Sequence, residues 1–334
     1  MRYISAELRK LAGVRYVWLC LAFLLWVNVF VCLYQTRSAA ARIPDKVYRD
    51  FFALYETDPE QIEADRAEYA VWVQEQAAER RRRVKEGEFD WPGDPPPAPK
   101  YAPEGYSDGF LYTALVRQKD QIEKYHETPE AIIASARTNL REYELLGVPA
   151  GSYAVKNQER VIADYTHALE NVHISMEYVH GWGEYFANGT VNLFIFAMLL
   201  VVDSVVFTQE MGSGYLFILR TTKHGRARTA LAKLAAVMLF NVGIVFLFTA
   251  STWLVYGWRY GYSSAENALQ TLKAYLRSPY VVTIGQYFWI TAGLRALAGA
   301  VFSAVLCAVS VFTYNYVLVY ASGLGLFGLN YWFY

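Results

Sequence analysis

The sequence contains few of the residues and motifs on which enzymes and disulfide-rich domains depend. It has only three cysteines in 334 residues. All three, Cys20, Cys32 and Cys307, lie in apolar stretches, which predicts small buried side chains and no disulfide framework. The sequence also has no GxxxxGK[ST] loop, no GxSxG elbow and no HExxH helix. We therefore expect no enzyme activity and no nucleotide site in this chain, and we predict no catalytic residue.

An excess of charge of either sign is missing too. Lys and Arg together number 31, and so do Asp and Glu, whereas a nucleic-acid-binding protein normally has a basic face. We therefore expect no nucleic-acid partner. Histidine is scarce, and His173 and His180 are two helical turns apart, about 10.5 Å. One ion cannot bridge that distance, so no metal site is predicted.

Long apolar runs, by contrast, are abundant. Hydrophobic residues make up 54% of the chain, and a helix needs about 20 of them in succession to cross a bilayer. Residues 36–190 hold most of the acids, whereas the sequence after them is largely apolar. Five spans are predicted, at residues 16–34, 191–208 and 234–256, within 281–312, and at 316–334.

Two of these spans have an alternative interpretation. Basic residues precede the first run, as they do in a signal peptide, but the run is long for one and we favour a retained helix. The fourth run contains Arg295, and a charge at mid-membrane is costly. One resolution is that its membrane helix begins near Ala296, with residues 281–295 interfacial or re-entrant and the guanidinium at the headgroups.

The distribution of Lys and Arg predicts the orientation, because these residues favour the cytosolic side in short loops. The stretch before the first span has four of them, and residues 209–233 have five. This places residues 1–35 as a cytosolic N-terminus with the first span, and residues 36–190 outside, in a multi-pass protein of the plasma membrane. Five spans would leave the C-terminus outside, directly after apolar sequence, so we expect the chain to be C-terminally incomplete.

The insert at residues 36–190 has the periodicity of helices. Two sets of mostly apolar residues recur at intervals of three and four. They are Leu111, Leu115, Gln118, Ile122 and Tyr125, and then Ile162, Tyr165, Leu169, Val172, Met176 and Val179. The sequence LLGVPAGS at 145–152 lies between them and predicts a turn, and a charged helix is predicted at 59–86. The fold class is therefore all-α: a polytopic transmembrane helix bundle with a large extracytoplasmic helical insert, hairpin-like or coiled-coil-like, between the first and second spans.

Asp203 is the acidic residue deep in a predicted span. A charged residue there is costly and is often functional. A proton relay is one interpretation, and an acid that faces the bundle interior for structural reasons is the other. We favour the second, because the sequence shows no ionisable partner at matching depth.

The segment at 209–233 lies between the second and third spans. Gly212 and Gly214 allow the chain to bend from the membrane normal into its plane. From Tyr215, the sequence YLFIL predicts a short amphipathic helix, and Gly225 lies in a predicted turn. A docking surface for a partner is one interpretation of the segment, and a basic loop that only fixes topology is the other.

The segment resembles the cytosolic loop of ABC-2 type transporter permeases. The pattern is an acid, glycines, a short apolar stretch, a Gly-Arg turn and a Lys that opens the next helix. The matching elements here are Glu210, Gly212 and Gly214, YLFIL, Thr221 and Thr222, Gly225 and Arg226, and Lys233. The sequences GWGEYFANGTVNLFIFAMLL and SPYVVTIGQYFWITAGLRAL are similar to the Gram-positive branch of that family.

The resemblance implies a permease subunit of an ATP-binding-cassette transporter, most simply an exporter. The segment would act as a coupling helix on a separate ABC ATPase subunit, which would hold the ATP and magnesium. Glu210 would begin the coupling element, and Arg226 with Lys233 would hold it at the phosphate layer of the bilayer. A second permease copy or a homologous permease would complete the complex, and the substrate is not specified.

A different class of function fits the same layout. A membrane receptor or sensor would bind a ligand with its extracytoplasmic helical domain and would transport nothing. An assembly or immunity subunit is a third possibility, distinguished by working without ATP. An associated ABC ATPase discriminates the transporter from both.

Overall fold

The computed structural model shows an all-α protein, as expected from the sequence. It describes residues 2–37, 45–88, 93, 109–174, 179–212, 225–312 and 315–332. No strand forms among these residues, although an isolated antiparallel bridge joins Ala268 to Thr283. The proline-rich sequence at 91–105, which favours a loop because proline lacks the amide donor of a helix, lies outside the described residues except for Gly93.

The helices are numbered in chain order. They are α1 (Arg2–Ala12), α2 (Arg15–Gln35), α3 (Asp45–Thr57), α4 (Pro59–Lys85), α5 (Gly109–Leu145), α6 (Tyr153–Asn171), α7 (His180–Ala187), α8 (Thr190–Gly212), α9 (Gly225–Tyr260), α10 (Ile284–Phe312) and α11 (Tyr316–Trp332). Two short 3₁₀ turns, Leu269–Thr271 and Lys273–Tyr275, lie between α9 and α10.

The chain divides into two compact units. Unit 1 comprises Met1–Arg37, Tyr185–Trp258 and Phe288–Tyr334, and unit 2 comprises Ser38–Glu184 and Arg259–Tyr287. Unit 1 therefore gathers the apolar runs. Unit 2 contains most of the predicted insert, together with the connection between the predicted third and fourth spans.

Three or four helices among the described residues could cross a membrane. In the described part of the chain, Arg15–Gln35, Ala230–Tyr260 and Ile284–Ser310 are long and apolar enough to cross a membrane. The second predicted span is a fourth candidate if α7 and Thr190–Ser204, which are bent by 41°, count as one crossing. The fifth predicted span corresponds to α11 (Tyr316–Trp332), with residues 333–334 outside the described part of the chain, and its crossing stays a prediction.

α10 is one uninterrupted helix that passes through Ala296, and where along it the membrane begins stays a prediction. A reciprocal cap fixes its start. The Gln286 backbone N–H donates to Thr283 Oγ1 (3.2 Å), and the Thr283 backbone N–H donates to Gln286 Oε1 (3.1 Å). This Thr-x-x-Gln capping box satisfies two amides that a helix start would leave without partners. Arg295 therefore lies within the helix, in its fourth turn.

Successive helices of unit 1 alternate in direction. At one end of the bundle the contacts join Cys32 with Asn188, Gln35 with Tyr256, and Tyr185 with Phe288. Further along, Asn241 contacts both Asp203 and Ser303. From the first end, residue numbers rise in α8 and α10 and fall in α2 and α9, as expected for helices that cross a layer in succession. The ends of α8 and α9 that flank residues 213–224 therefore lie at the opposite end.

An apolar core holds these helices together. It combines Val17 and Leu21 of α2 with residues of α8, α9 and α10, among them Met198, Val237, Phe248 and Cys307. Large apolar side chains also remain exposed on the outside of α2, for example Trp18, Phe23 and Trp26. An apolar exterior of this kind is typical of a surface that faces lipid.

The predicted helical hairpin is confirmed in unit 2. α5 and α6 flank a turn in which Gly147 has a φ of 68°, a conformation that favours glycine. The Ser152 hydroxyl accepts from the Val155 backbone N–H (3.4 Å) and caps α6. The predicted charged helix at 59–86 corresponds to α4.

The second arm of the hairpin is shorter than predicted. α6 ends at Asn171, and Val172 has extended backbone with a ψ of 118°. Val179 therefore lies outside this helix, and the predicted Met176 falls outside the described residues. The buried contacts join Tyr125 with Ala168 and Val172. Ile162 and Leu169, which the apolar spacing placed in the same set, are only partly buried.

Residues 259–287 are integrated into unit 2. The Tyr165 hydroxyl donates to the Arg277 carbonyl (2.6 Å), and the Trp182 indole N–H donates to the Ser263 carbonyl (3.1 Å). The Gln270 side-chain amide donates to two carbonyls of its own segment, those of Ser278 and Tyr280 (2.9 Å each). These bonds give a fixed course to a segment that has almost no regular structure.

Candidate functional site

The predicted coupling residues flank the segment that joins α8 and α9. Glu210 and Gly212 lie in the last turn of α8, and Gly225 and Arg226 begin α9. Gly214 and Tyr215 lie outside the described residues. The two helices therefore extend into the predicted loop at 209–233 from both sides.

Lys233 lies inside unit 1. It is in the third turn of α9 and only 5% exposed, and it interacts electrostatically with Cys307 on α10. Its predicted role at the phosphate layer stays a prediction. Its burial indicates that α9 already packs against other helices of unit 1 at this residue, in its third turn.

A buried polar cluster joins three helices of unit 1. It consists of Asp203 on α8, Asn241 on α9 and Ser303 on α10. The Asn241 Nδ2 group donates to Asp203 Oδ1 (2.8 Å) and to Ser303 Oγ (2.6 Å). Asp203 and Ser303 are fully buried, and Asn241 is 1% exposed. The cluster thus ties together three helices that are distant in sequence.

The acid in this cluster has uncharged polar partners. Ser303 also hydrogen-bonds the Asp203 carboxyl. Within the described residues, Asp203 Oδ2 and Asn241 Oδ1 have no hydrogen-bond partner. The sequence interpretation of Asp203 as an acid that faces the bundle interior is therefore correct in position. Its partners, which the sequence did not indicate, are the uncharged side chains of Asn241 on α9 and Ser303 on α10.

A second set of polar contacts connects α2 with α9. The Asn28 Nδ2 group donates to Thr252 Oγ1 (3.0 Å) and to Ser251 Oγ (3.1 Å). The Tyr256 hydroxyl donates to Gln35 Oε1 (3.2 Å). Hydrogen bonds between helices commonly support their association in lipid, because the hydrophobic effect does not drive helices together there. This set fits a structural role.

Arg295 also has a partner within unit 1. Its Nη1 group donates to the Tyr185 hydroxyl (3.1 Å), and its guanidinium carbon lies 5.9 Å from the centre of the same ring. The sequence predicted that this charge lies near the headgroups, and that depth stays a prediction. The structure provides an aromatic hydroxyl and a ring face for the cation.

Sequence reasoning missed the partners of Asp203. Asn241 and Ser303 are single polar residues inside apolar runs, and nothing in either run marks which residue it meets. The sequence did show that both residues lie in apolar runs. Polar residues in a membrane helix face protein or water, so burial of both side chains within the bundle could have been predicted. Pairing required the relative rotation and depth of three helices.

The Asn-Gly-Thr sequence at 188–190 also has a structural explanation. Asn188 is buried, and its Oδ1 accepts from the Thr190 backbone N–H (3.0 Å) at the start of α8. Its Nδ2 group contacts Cys32 Sγ (3.8 Å). The side chain caps a helix, as asparagine commonly does. Although Asn-Gly-Thr fits the N-glycosylation pattern, this asparagine is buried and not exposed for that modification.

Comparison with models of protein families, with curated proteins and with solved structures finds no match for this chain. The arrangement of its helices and of its buried polar groups is therefore what bears on its function.

Proposed function

We propose that the chain is the permease subunit of an ATP-binding-cassette exporter, driven by a separate ATPase subunit that docks on residues 209–233. The observation that carries the proposal is the helix arrangement around this segment. α8 and α9 are successive apolar helices whose side chains are joined by the Asp203–Asn241 hydrogen bond. Their ends hold the acid–glycine and glycine–arginine elements that resemble a coupling helix.

The arrangement provides a route for mechanical coupling. Glu210 and Gly212 end α8, so a partner that contacts them acts directly on a membrane helix. Asp203 lies nine residues before the end of α8, about 14 Å along the helix. A displacement of α8 relative to α9 therefore acts on the buried contact between Asp203 and Asn241. Such a change, repeated in a second permease copy, would switch access from the cytosolic to the outer side.

The same proposal accounts for the other features of unit 1. Its apolar exterior suits the lipid bilayer, and its alternating helices suit repeated crossings of a plasma membrane. ATP and magnesium would be held by the ATPase, and this chain would contribute only the docking segment. Unit 2 would then form the extracytoplasmic helical domain.

The test is a double substitution, Glu210→Ala with Gly212→Ala, in the complex purified with its ATPase. We expect ATP hydrolysis to lose its dependence on the permease, because the docking element at the end of α8 is removed. Membrane insertion should be unchanged, because neither residue lies in the predicted span at 191–208. Normal permease-dependent hydrolysis in the double variant would contradict the docking assignment.

A matched control uses the same two substitutions elsewhere. Glu266 is exposed in unit 2, and a Cβ added at Gly243 meets no atom within 4 Å. The variant Glu266→Ala with Gly243→Ala should hydrolyse ATP like the unmodified complex. A loss of hydrolysis in both variants would show a general effect on the protein rather than a docking effect.

A receptor or sensor is the second candidate, and an exposed feature of unit 2 favours it. Leu145, Leu146 and Tyr153 at the tip of the α5–α6 hairpin are 88%, 77% and 84% exposed. An apolar tip in a water-facing domain is a plausible ligand surface. Activity that persists with an ATPase subunit unable to hydrolyse ATP would favour the receptor over the exporter.

A further inference from the structure

We infer that Asp203 is a proton-binding site inside the membrane bundle, whose carboxyl holds a proton within the buried α8–α9–α10 cluster and releases it as the pH rises. The site is built entirely by this chain. Its test needs no ATPase, so its failure would leave the proposed transport function untouched, and the reverse also holds.

Burial favours the neutral form of this acid. Asp203 has no exposed surface, and an ionised carboxylate without a counter-ion is far more costly to bury than a neutral carboxyl. Asp203, Glu210 and Glu266 are the only acids after residue 190. Asp203 is therefore the acid that the interior of this bundle must accommodate.

Hydrogen bonding opposes burial and favours the ionised form. The Asn241 Nδ2 group can only donate, and it is directed at Asp203 Oδ1. Burial and hydrogen bonding thus act in opposite directions on one group. A modest change in the packing of α8 against α9 and α10 is enough to shift the balance, because it changes both.

The second carboxylate oxygen is where the proton would reside. Asp203 Oδ2 is buried and has no hydrogen-bond partner among the described residues, while Oδ1 is occupied by Asn241. Transfer of a proton from hydronium to Oδ2 breaks one hydronium O–H bond, forms the carboxyl O–H bond, leaves a neutral water and neutralises one charge on the protein. The unpartnered Asn241 Oδ1 adds an acceptor to the same cluster.

The surrounding ionisable groups are compatible with this assignment. Among the described residues, the titratable groups near the cluster are Lys233 on α9 and Cys307 on α10. Cys307 interacts electrostatically with both Asp203 and Lys233. The two groups that hydrogen-bond the Asp203 carboxyl, those of Asn241 and Ser303, are uncharged.

The experiment is infrared spectroscopy of the purified full-length chain across a pH series, with Asp203→Asn as the reference for subtraction. A neutral carboxyl has a C=O band that a carboxylate lacks. We expect the difference spectrum to contain such a band and to lose it as pH rises. The control Glu266→Gln removes an exposed acid and should leave that band in place.

A second variant keeps the test decisive if Asp203→Asn fails to fold. Asn241→Leu retains the acid and removes the donor that favours its ionised form, so the band should persist to higher pH. A hydrogen bond to a charged group is strong enough to shift the midpoint by at least about tenfold in proton concentration. An unshifted midpoint would contradict the assignment.

Three further outcomes would overturn the inference. Absence of the band at every pH would show that Asp203 stays ionised, and a band that never changes would show an acid that does not exchange protons. Loss of the band on adding Na⁺ at constant pH and ionic strength would assign the site to a metal cation instead.

Discussion

The two units of this protein distribute polar and apolar side chains in opposite ways. Unit 1 exposes tryptophan, phenylalanine and leucine on α2 and buries Asp203, Asn241 and Ser303. Unit 2 exposes charged side chains on α4, where Glu79 pairs with Arg82 and Arg83, and it buries Tyr125 and Ala168. Both units are helical, so secondary structure does not explain this difference in exposed side chains. The solvent around each set of helices does. Lipid accepts apolar side chains, whereas polar groups inside it must find one another.

The units also differ in how closely their chains approach. In unit 2 a Cβ at Gly181 would collide with the backbone carbonyl of Gly261. In unit 1 a Cβ at Gly323 would collide with the end of the Leu200 side chain. A backbone cannot move aside without disturbing its neighbours, whereas a leucine can change rotamer. This contrast leads to predictions of different size for the same substitution.

The largest effect is expected for Gly181→Ala in unit 2. The added methyl group would force the start of α7 away from Gly261 at a cost of about 3 kcal/mol. Residues 259–287 would lose part of their support, so trypsin should cleave faster at Lys273 and Arg277. Limited proteolysis followed by mass spectrometry measures this directly.

The matched control for this variant is Gly183→Ala on the same helix. There the nearest atom to the added methyl group is Leu272 Cδ2 at 3.7 Å, an ordinary contact distance. Cleavage should stay at the wild-type rate. Equal acceleration in both variants would mean that α7 tolerates no alanine and that the contact with Gly261 is irrelevant.

A smaller effect is expected for Gly323→Ala in unit 1. Leu200 and Leu306 line the space that the methyl group would enter, and repacking side chains should limit the cost to about 1–2 kcal/mol. The thermal unfolding midpoint in detergent should fall, whereas Gly325→Ala, with no atom within 4 Å, should not lower it. A cost above that of Gly181→Ala would reverse the contrast between the units.

Asn28→Leu should cost less still, about 1 kcal/mol or below. It removes the bonds to Ser251 and Thr252, but hydrogen bonds between membrane helices contribute little because the unfolded helices find other partners. The exposed Asn192 provides the control, as Asn192→Leu. A loss of several kcal/mol in Asn28→Leu would show that the α2–α9 contacts determine the stability of unit 1.

The smallest effect concerns alkaline pH and unit 2. Burial raises the pKa of the Tyr125 hydroxyl above its usual value near 10, so the folded state favours the neutral phenol. This contribution is complete below the unfolded pKa of about 10 and is lost as pH rises through the higher folded pKa. Thermal midpoints should therefore decline above about pH 10, and less steeply in Tyr125→Phe. An identical decline in both would exclude this tyrosine as a source.

Much of the helix layout could be predicted from the sequence. The run at 16–34 became α2, the charged stretch at 59–86 became α4, and the turn at 145–152 separates α5 from α6. These elements depend on local composition and on residues three or four apart, which a sequence displays directly. The start of α10 was predictable as well, since Thr283 and Gln286 form a recognisable capping box.

Local rules could not predict which residue Arg295 meets. The sequence indicated only that an isolated charge in a membrane is costly. Tyr185, 110 residues earlier, supplies its partner. The shorter second arm of the hairpin was not predicted either, since apolar spacing continues past Asn171 while the helix does not.

The sequence by itself determined that this is a helical protein with a water-facing part and an apolar part, because hydrophobic periodicity and run length are local properties. It also marked Asp203 as an acid in an apolar run. Only the tertiary structure decided what that acid meets. Asn241 is 38 residues from Asp203 in the sequence, and Ser303 is 62 residues from Asn241. Their meeting depends on the depth and rotation of three packed helices, which no stretch of sequence contains alone.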